Sequence, residues 1–111
     1  MGYDLFMELQ AKDRQLQTSL KMLRQTGEKW AAAERDYKSL LMQETLKLKD
    51  SGMSATLIDK VIYGLPSVAD LRFKRDVALI TYKANTESIN VLKLQMKLLD
   101  NQIAREWGDH E

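Results

Sequence analysis

The sequence predicts an all-α fold in which two long antiparallel helices form a hairpin or coiled coil and are joined by a short helical elbow. One observation is a heptad of large apolar residues that keeps its phase through Gly27: Leu9, Leu16, Leu23, Trp30 and Tyr37. Another is that the only proline and two of the five glycines fall between residues 52 and 66. We therefore expect one helical domain over residues 1–111, which forms a dimer or larger oligomer.

The first long helix is predicted over about residues 4–50. A loop places no demand on the helical phase of the next segment, so a seven-residue period kept from Leu9 to Tyr37 indicates one continuous helix. Glycine inside a helix costs only ~1 kcal/mol, so we expect Gly27 to bend the helix without breaking it. The alternative is a break at Thr26 and Gly27, which would give three helices in a compact bundle.

The elbow is predicted over about residues 53–66. Gly52 suits the left-handed position after a helix C-terminus, and Ser54 can cap a short helix of about residues 55–63 that ends at Gly64. Its large apolar side chains cannot all face inward from one short helix: Val61, Ile62, Tyr63 and Leu65. The elbow therefore either packs on the bundle or on a neighbouring subunit, or presents an apolar tip to a partner protein.

The last helix is predicted over about residues 67–107 and opens with the capping-box spacing of Ser67 and Asp70. It carries two apolar stripes about 100° apart, of which a hairpin buries only one. The first stripe is Leu71, Ala78, Tyr82, Ile89, Leu92, Met96, Leu99 and Ile103. The predicted oligomer interface is the second stripe together with Asn85: Phe73, Val77, Ile80, Ala84, Asn85, Val91, Leu94 and Leu98.

Two alternatives accompany that interface. Asn85 lies at a core-type position of the first stripe, where an asparagine often fixes the register or the number of helices; it is equally compatible with facing water at the edge of the stripe. The second stripe could also be covered without a second chain, if the first helix folded back on itself at Gly27.

The composition narrows the class of protein. The 17 Lys and Arg residues nearly balance the 16 Asp and Glu, which gives no charge block for nucleic acid or an anionic membrane. There is no cysteine, which suits an intracellular protein. No stretch approaches the ~18 apolar residues of a membrane span, and the start of the chain has no signal-peptide pattern. We expect a cytoplasmic protein without membrane contact.

The residues offer little for catalysis. The only histidine, His110, is next to the last residue, no glycine-rich phosphate loop is present, and the carboxylates are scattered singly. We therefore predict no enzyme, and no catalytic residue, cofactor or metal site.

A cationic cluster opens the last helix: Arg72, Lys74 and Arg75. It could hold a phosphate or nucleotide if a second subunit added cations and Tyr63 or Tyr82 stacked on a base. Alternatively it is a solvated face that pairs locally with Asp70 and Asp76. A ligand pocket between subunits would leave no signature in one chain.

Four segments resemble a group of short, uncharacterised helical-hairpin proteins from phages and prophages of Gram-positive bacteria: residues 33–37, 52–58, 68–78 and 105–108. The similarity extends over about residues 30–108, with Gly64, Leu65 and Pro66 where relatives have Gly-Asp. That group has no established activity, so no residue role is transferred. The resemblance implies a small, non-enzymatic protein that acts by stoichiometric binding in the host cytoplasm.

The leading functional hypothesis is a helical oligomer that blocks or sequesters a host factor, such as a defence or nucleic-acid-processing component. Its predicted contacts are three apolar anchors and two orienting cations: Ile62, Tyr63, Leu65, Arg72 and Arg75. The first alternative is a DNA-binding accessory protein of phage recombination or replication, with five cations repeated around an oligomer: Arg72, Lys74, Arg75, Lys93 and Lys97. The second alternative is a purely structural helical spacer.

Overall fold

The structure is a computed structural model that describes residues 2–108. Its elements are α1 (Gly2–Asp50), α2 (Ala55–Val61), a 3-10 turn (Ile62–Gly64) and α3 (Pro66–Gly108). These residues contain no strand, which confirms the all-α prediction. His110, considered above as a metal ligand or base, lies outside the described residues.

Helix α1 is a single helix of 49 residues that continues through Gly27, as the heptad predicted, and the alternative of a break there is wrong. All five heptad residues are buried or half-buried. The helix ends in a Schellman motif, in which Met53 N donates to Leu48 O and Gly52 N donates to Lys49 O. Gly52 has a φ of +90°, which glycine adopts without the steric cost of a Cβ atom.

The elbow begins with the predicted cap. Ser54 Oγ accepts a hydrogen bond from Leu57 N at 3.3 Å and opens α2. The short helix reaches Gly64, but its last three residues, Ile62–Gly64, tighten into a 3-10 turn.

The start of α3 differs from the predicted capping box. The helix begins at Pro66, so Ser67 lies in the first turn and does not cap it. Proline suits the first helical position because its fixed φ is already helical and its missing N–H has no partner to lose there.

The contacts group the chain into two compact units. The first unit contains residues 2–25 and 83–108 of the described chain, and the second contains residues 26–82. In the first unit, Leu16 of α1 packs against Ile89 and Leu92 of α3, with Leu23 and Met96 at the edges of this core. Residues later in α1 meet residues earlier in α3, so the two helices run antiparallel.

The second unit holds the elbow and the middle of the chain. Its buried apolar residues are Tyr37, Ile58, Ile62 and Val68, and Val68 is fully buried. The rings of Trp30 and Tyr82 stack with their centroids 5.3 Å apart and their planes at 24°. Tyr82 also lies against Gly27, where an added Cβ would be 3.4 Å from its ring. Here too α1 and α3 are antiparallel.

The predicted first stripe of α3 forms the side of the helix that packs on α1, because every one of its apolar residues is buried or half-buried. No helix within residues 2–108 is long and apolar enough to cross a membrane.

Candidate functional site

The second apolar stripe of α3 lies on the protein surface. Its large side chains are between 41% and 67% exposed, and Ala84 is also exposed: Phe73, Val77 and Ile80 in the second unit, and Val91, Leu94 and Leu98 in the first. The hairpin therefore covers only one of the two stripes, as the sequence predicted. Because α1 is one continuous helix, it does not fold back at Gly27 to cover the second.

The spacing of this stripe is a signal that the sequence analysis passed over. Its positions are separated alternately by four and three residues, which is the spacing of a coiled-coil seam. One position of that seam, between Ala84 and Val91, is Glu87, and its side chain is exposed. Glu87 is the only charged residue among the eight seam positions from Phe73 to Leu98.

Asn85 does not belong to this exposed stripe. It is 8% exposed, and its side-chain Nδ2 donates a hydrogen bond to the Ser19 carbonyl of α1 at 3.0 Å. The expectation that it faces water is therefore wrong. The prediction that Asn85 belongs to the oligomer interface is also wrong, because its side chain is hydrogen-bonded to α1 of the same chain.

The elbow presents a smaller surface built around Tyr63. This tyrosine is 47% exposed, and the Arg72 guanidinium lies over its ring, 5.2 Å from the centroid. Such cation–π contacts favour a fixed orientation of both side chains. Leu57, which the sequence analysis did not single out, is also 46% exposed.

Two of the predicted apolar anchors lie deeper than expected. Ile62 is only 2% exposed and belongs to the core of the second unit, so it cannot serve as an exposed anchor. Leu65 is half-buried. The signal that could have separated Ile62 from Tyr63 is the spacing of Ile58 and Ile62, which puts both on one face of the elbow.

Arg75 is held inside the second unit. Its Nη2 lies 2.9 Å from Asp76 Oδ1, its Nε lies 3.6 Å from Glu34 Oε2, and its guanidinium lies 4.5 Å from the centroid of the Tyr37 ring. The hydrogen bond to Asp76 raises the pKa of Arg75 above its ordinary value; burial opposes this shift, and the negative charges of Asp76 and Glu34 add to it. These contacts join α1 to α3, so Arg75 is not available to orient a partner as predicted.

The other cations differ in their surroundings. Lys74 Nζ lies 3.2 Å from Asp70 Oδ2, one turn away in the second unit. Lys93 and Lys97 are exposed on the first unit. Lys74 and Arg75 both meet carboxylates, which leaves Arg72, held over the Tyr63 ring, as the remaining cation of this cluster for a phosphate.

A shallow groove in the second unit adjoins the exposed stripe. Phe73 and Val77 of α3 line it together with Thr26 and Lys29 of α1. Its lining is mostly apolar, so the groove extends the surface of the stripe toward α1.

Within residues 2–108, no three side chains of His, Cys, Asp or Glu are grouped as a metal site would require. The stripe of α3 and the elbow surface of Leu57, Tyr63 and Arg72 are the two exposed surfaces considered further. Other large apolar side chains are exposed on α1, among them Phe6, Met42 and Leu46. Comparisons of the chain with models of protein families, with curated proteins and with solved structures found no match.

Proposed function

We propose that this chain is a non-enzymatic binding protein, a helical oligomer that sequesters or blocks another protein through its elbow. The observation that carries the proposal is Tyr63, an aromatic side chain that is 47% exposed on a 3-10 turn and is held by Arg72. Aromatic and arginine side chains dominate the energetic centres of protein interfaces. An exposed pair of this kind is what a docking surface requires.

The elbow also has the rigidity that such a surface needs. Ile58 and Ile62 are 5% and 2% exposed beneath it, and Val68 at the start of α3 is fully buried. Ser54 caps the start of α2, and Leu65 N donates a hydrogen bond to Ile62 O across Tyr63, so the backbone of the elbow is ordered. A pre-ordered surface binds more tightly because less conformational entropy is lost on association.

The resemblance of residues 30–108 to phage and prophage proteins supports a host factor as the partner. A defence or nucleic-acid-processing component is the class that this origin favours. The contact residues of the proposal are Tyr63, Arg72 and Leu57, together with the half-buried Leu65. Ile62 and Arg75 hold the second unit together and are not part of the contact.

The test compares Tyr63→Ala with Tyr3→Ala, a matched control because Tyr3 is also exposed and lies far along the sequence in α1. A host protein captured by the unmodified chain would be identified, purified and titrated against all three proteins. Loss of a central aromatic costs ~2 kcal/mol, so Tyr63→Ala should bind more than about tenfold more weakly. Tyr3→Ala should bind as the unmodified chain does.

Unchanged helix content and unchanged mass in solution would show that Tyr63→Ala leaves the fold and the assembly intact. If that variant then binds the partner with full affinity, the elbow is not the docking surface and the proposal fails.

DNA binding is less well supported than binding of a partner protein. Two of the five cations that it would use, Lys74 and Arg75, already contact carboxylates. It remains a distinct proposal with its own signature. An affinity for duplex DNA that falls steeply with salt, as phosphate contacts release counterions, would support it over the elbow.

A further inference from the structure

The exposed stripe of α3 has the geometry of a coiled-coil seam that lacks its partner helix. It extends from Phe73 to Leu98 on one uninterrupted helix, Pro66–Gly108. Seven of its eight positions are apolar, and the side chains on the opposite side of the helix pack on α1. We propose that this seam pairs antiparallel with the same seam of a second copy of the chain, in one register. This inference rests on the proposed function, because it specifies how the proposed oligomer forms.

Glu87 determines the orientation. In a parallel, in-register pair of identical helices, each seam residue meets its own counterpart, so two Glu87 carboxylates would face each other inside the interface. Bringing two like charges together away from water is strongly unfavourable. In an antiparallel pair, Glu87 faces a different residue and this repulsion disappears.

The length of the stripe favours one antiparallel register. When its two ends are aligned, every seam position has a partner in the second copy. The facing residues are Phe73 with Leu98, Val77 with Leu94, Ile80 with Val91, and Ala84 with Glu87. The small Ala84 side chain leaves room for Glu87, which can reach toward the interface edge. Each of these contacts occurs twice because the pair is symmetric.

The charges beside the seam select the same register. Asp76 and Lys97 lie on one edge of the seam, and alignment of the ends brings Asp76 of one copy opposite Lys97 of the other. Arg75 contacts Oδ1 of Asp76, and the Asp76 side chain is 50% exposed, so its carboxylate is accessible to a second cation. Lys83, next to Ala84, lies beside Glu87 of the second copy and can neutralise it.

The neighbouring registers are penalised by lysines. A shift of seven residues in one direction places Lys83 opposite Lys97 of the second copy. The same shift in the other direction places Lys83 opposite Lys83 of the second copy. Like charges that face each other across a coiled coil oppose pairing, so opposite and like charges together define one alignment.

The chain has no cysteine, so engineered disulfides can test the register without background. The test variant is Val77→Cys with Leu94→Cys. These positions are about 25 Å apart along one helix, so a disulfide between them can form only between two chains. The matched control, Val77→Cys with Leu98→Cys, moves one thiol a full turn, about 6 Å, beyond reach of a disulfide, which requires Cα atoms within ~7 Å.

We expect a covalent dimer from the first variant under mild oxidation, little from the control, and a dimeric mass for the unmodified chain by sedimentation. The proposal is overturned by a monomeric mass, by equal cross-linking of both variants, or by efficient cross-linking of Val77→Cys alone, which would indicate a parallel pair.

Charge exchange provides a second test that leaves the apolar seam intact. Asp76→Lys or Lys97→Asp alone should weaken dimerisation about fivefold, since each replaces two attractive contacts with two repulsive ones. Asp76→Lys also removes the carboxylate that Arg75 of the same chain contacts, so the double variant is compared with Asp76→Lys, which lacks the same contact. The double variant should dimerise about fivefold more tightly than Asp76→Lys. If the double variant is as weak as either single one, the two residues do not face each other and the register is incorrect.

These results remain separable from the elbow proposal because Tyr63 lies outside the seam. A monomer whose partner binding still depends on Tyr63 would overturn the seam and leave the elbow contact standing. A cross-linked dimer that binds the partner equally well with and without the Tyr63 side chain would overturn the elbow contact and support the seam.

Discussion

Replacement of Gly27 by alanine should stabilise the protein, and the size of the gain is set by two effects. Alanine is favoured over glycine in a helix interior by ~1 kcal/mol. The added Cβ would lie 3.4 Å from Tyr82 Cε2 and 3.7 Å from Cδ2, at the near edge of van der Waals contact. Each such contact is worth only ~0.1–0.2 kcal/mol, so a shift of the ring by a few tenths of an ångström offsets it. The net gain should be about 0.5–1 kcal/mol.

The same substitution at Gly52 is the matched control with the opposite sign. Gly52 has a φ of +90°, where an L side chain costs ~1–2 kcal/mol, although nothing lies within 4 Å of an added Cβ. Urea unfolding followed by circular dichroism measures both. With a slope of ~1–3 kcal/mol/M, the midpoints should move apart by about 0.5 M or more. Protein concentration must be the same throughout, because association makes the midpoint concentration-dependent.

A Gly27→Ala variant less stable than the unmodified chain would refute this reasoning. It would mean that Tyr82 cannot move against Trp30 and that glycine is required for their close approach. Equal losses at Gly27 and Gly52 would lead to the same conclusion.

Three further substitutions, the first with an exposed control, test the packing, a helix cap and a buried hydrogen bond. Val68→Ala should lose about 2 kcal/mol in urea unfolding because this fully buried side chain leaves a cavity, whereas the control Leu46→Ala, 52% exposed and outside the seam, should lose under about 1 kcal/mol. Ser54→Ala removes the side-chain oxygen that accepts a hydrogen bond from Leu57 N, and this should destabilise α2 by about 1 kcal/mol. The measurement is amide hydrogen exchange in α2, which should become faster; unchanged exchange would mean that the cap is dispensable. Asn85→Ala removes a buried amide bonded to α1 and should cost about 1–2 kcal/mol in urea unfolding; a stability equal to that of the unmodified chain would contradict the importance of that bond.

The long helices could be predicted from sequence because their signal repeats over many turns. The heptad from Leu9 to Tyr37 repeats over several helical turns on both sides of Gly27, so one glycine does not hide the helical pattern. Short elements lack this redundancy. Proline is favoured at the first helical position, so Pro66 could have located the start of α3, but Ser67 and Asp70 offered a competing signal at a spacing of three residues.

The site was harder to predict because the exposure of each site residue depends on contacts with residues distant in the sequence. Ile62 and Tyr63 are adjacent and both apolar, yet Ile62 is 2% exposed and Tyr63 is 47% exposed. The difference depends on which side of the elbow packs on the core of the second unit. Arg75 looked like a surface cation until the fold brought Glu34 and Tyr37 to it. No local pattern contains those contacts, since about 40 residues of chain separate the partners.

The two tryptophans give this protein optical reporters of its own. Trp30 stacks on Tyr82, and its indole Nε1 is buried without a hydrogen-bond partner, whereas Trp107 is 68% exposed near the end of α3. An indole shielded from water emits at shorter wavelength and is reached slowly by a dissolved quencher. Replacing Trp107 with phenylalanine would leave Trp30 as the sole indole, whose fluorescence then reports the integrity of the second unit without any added label.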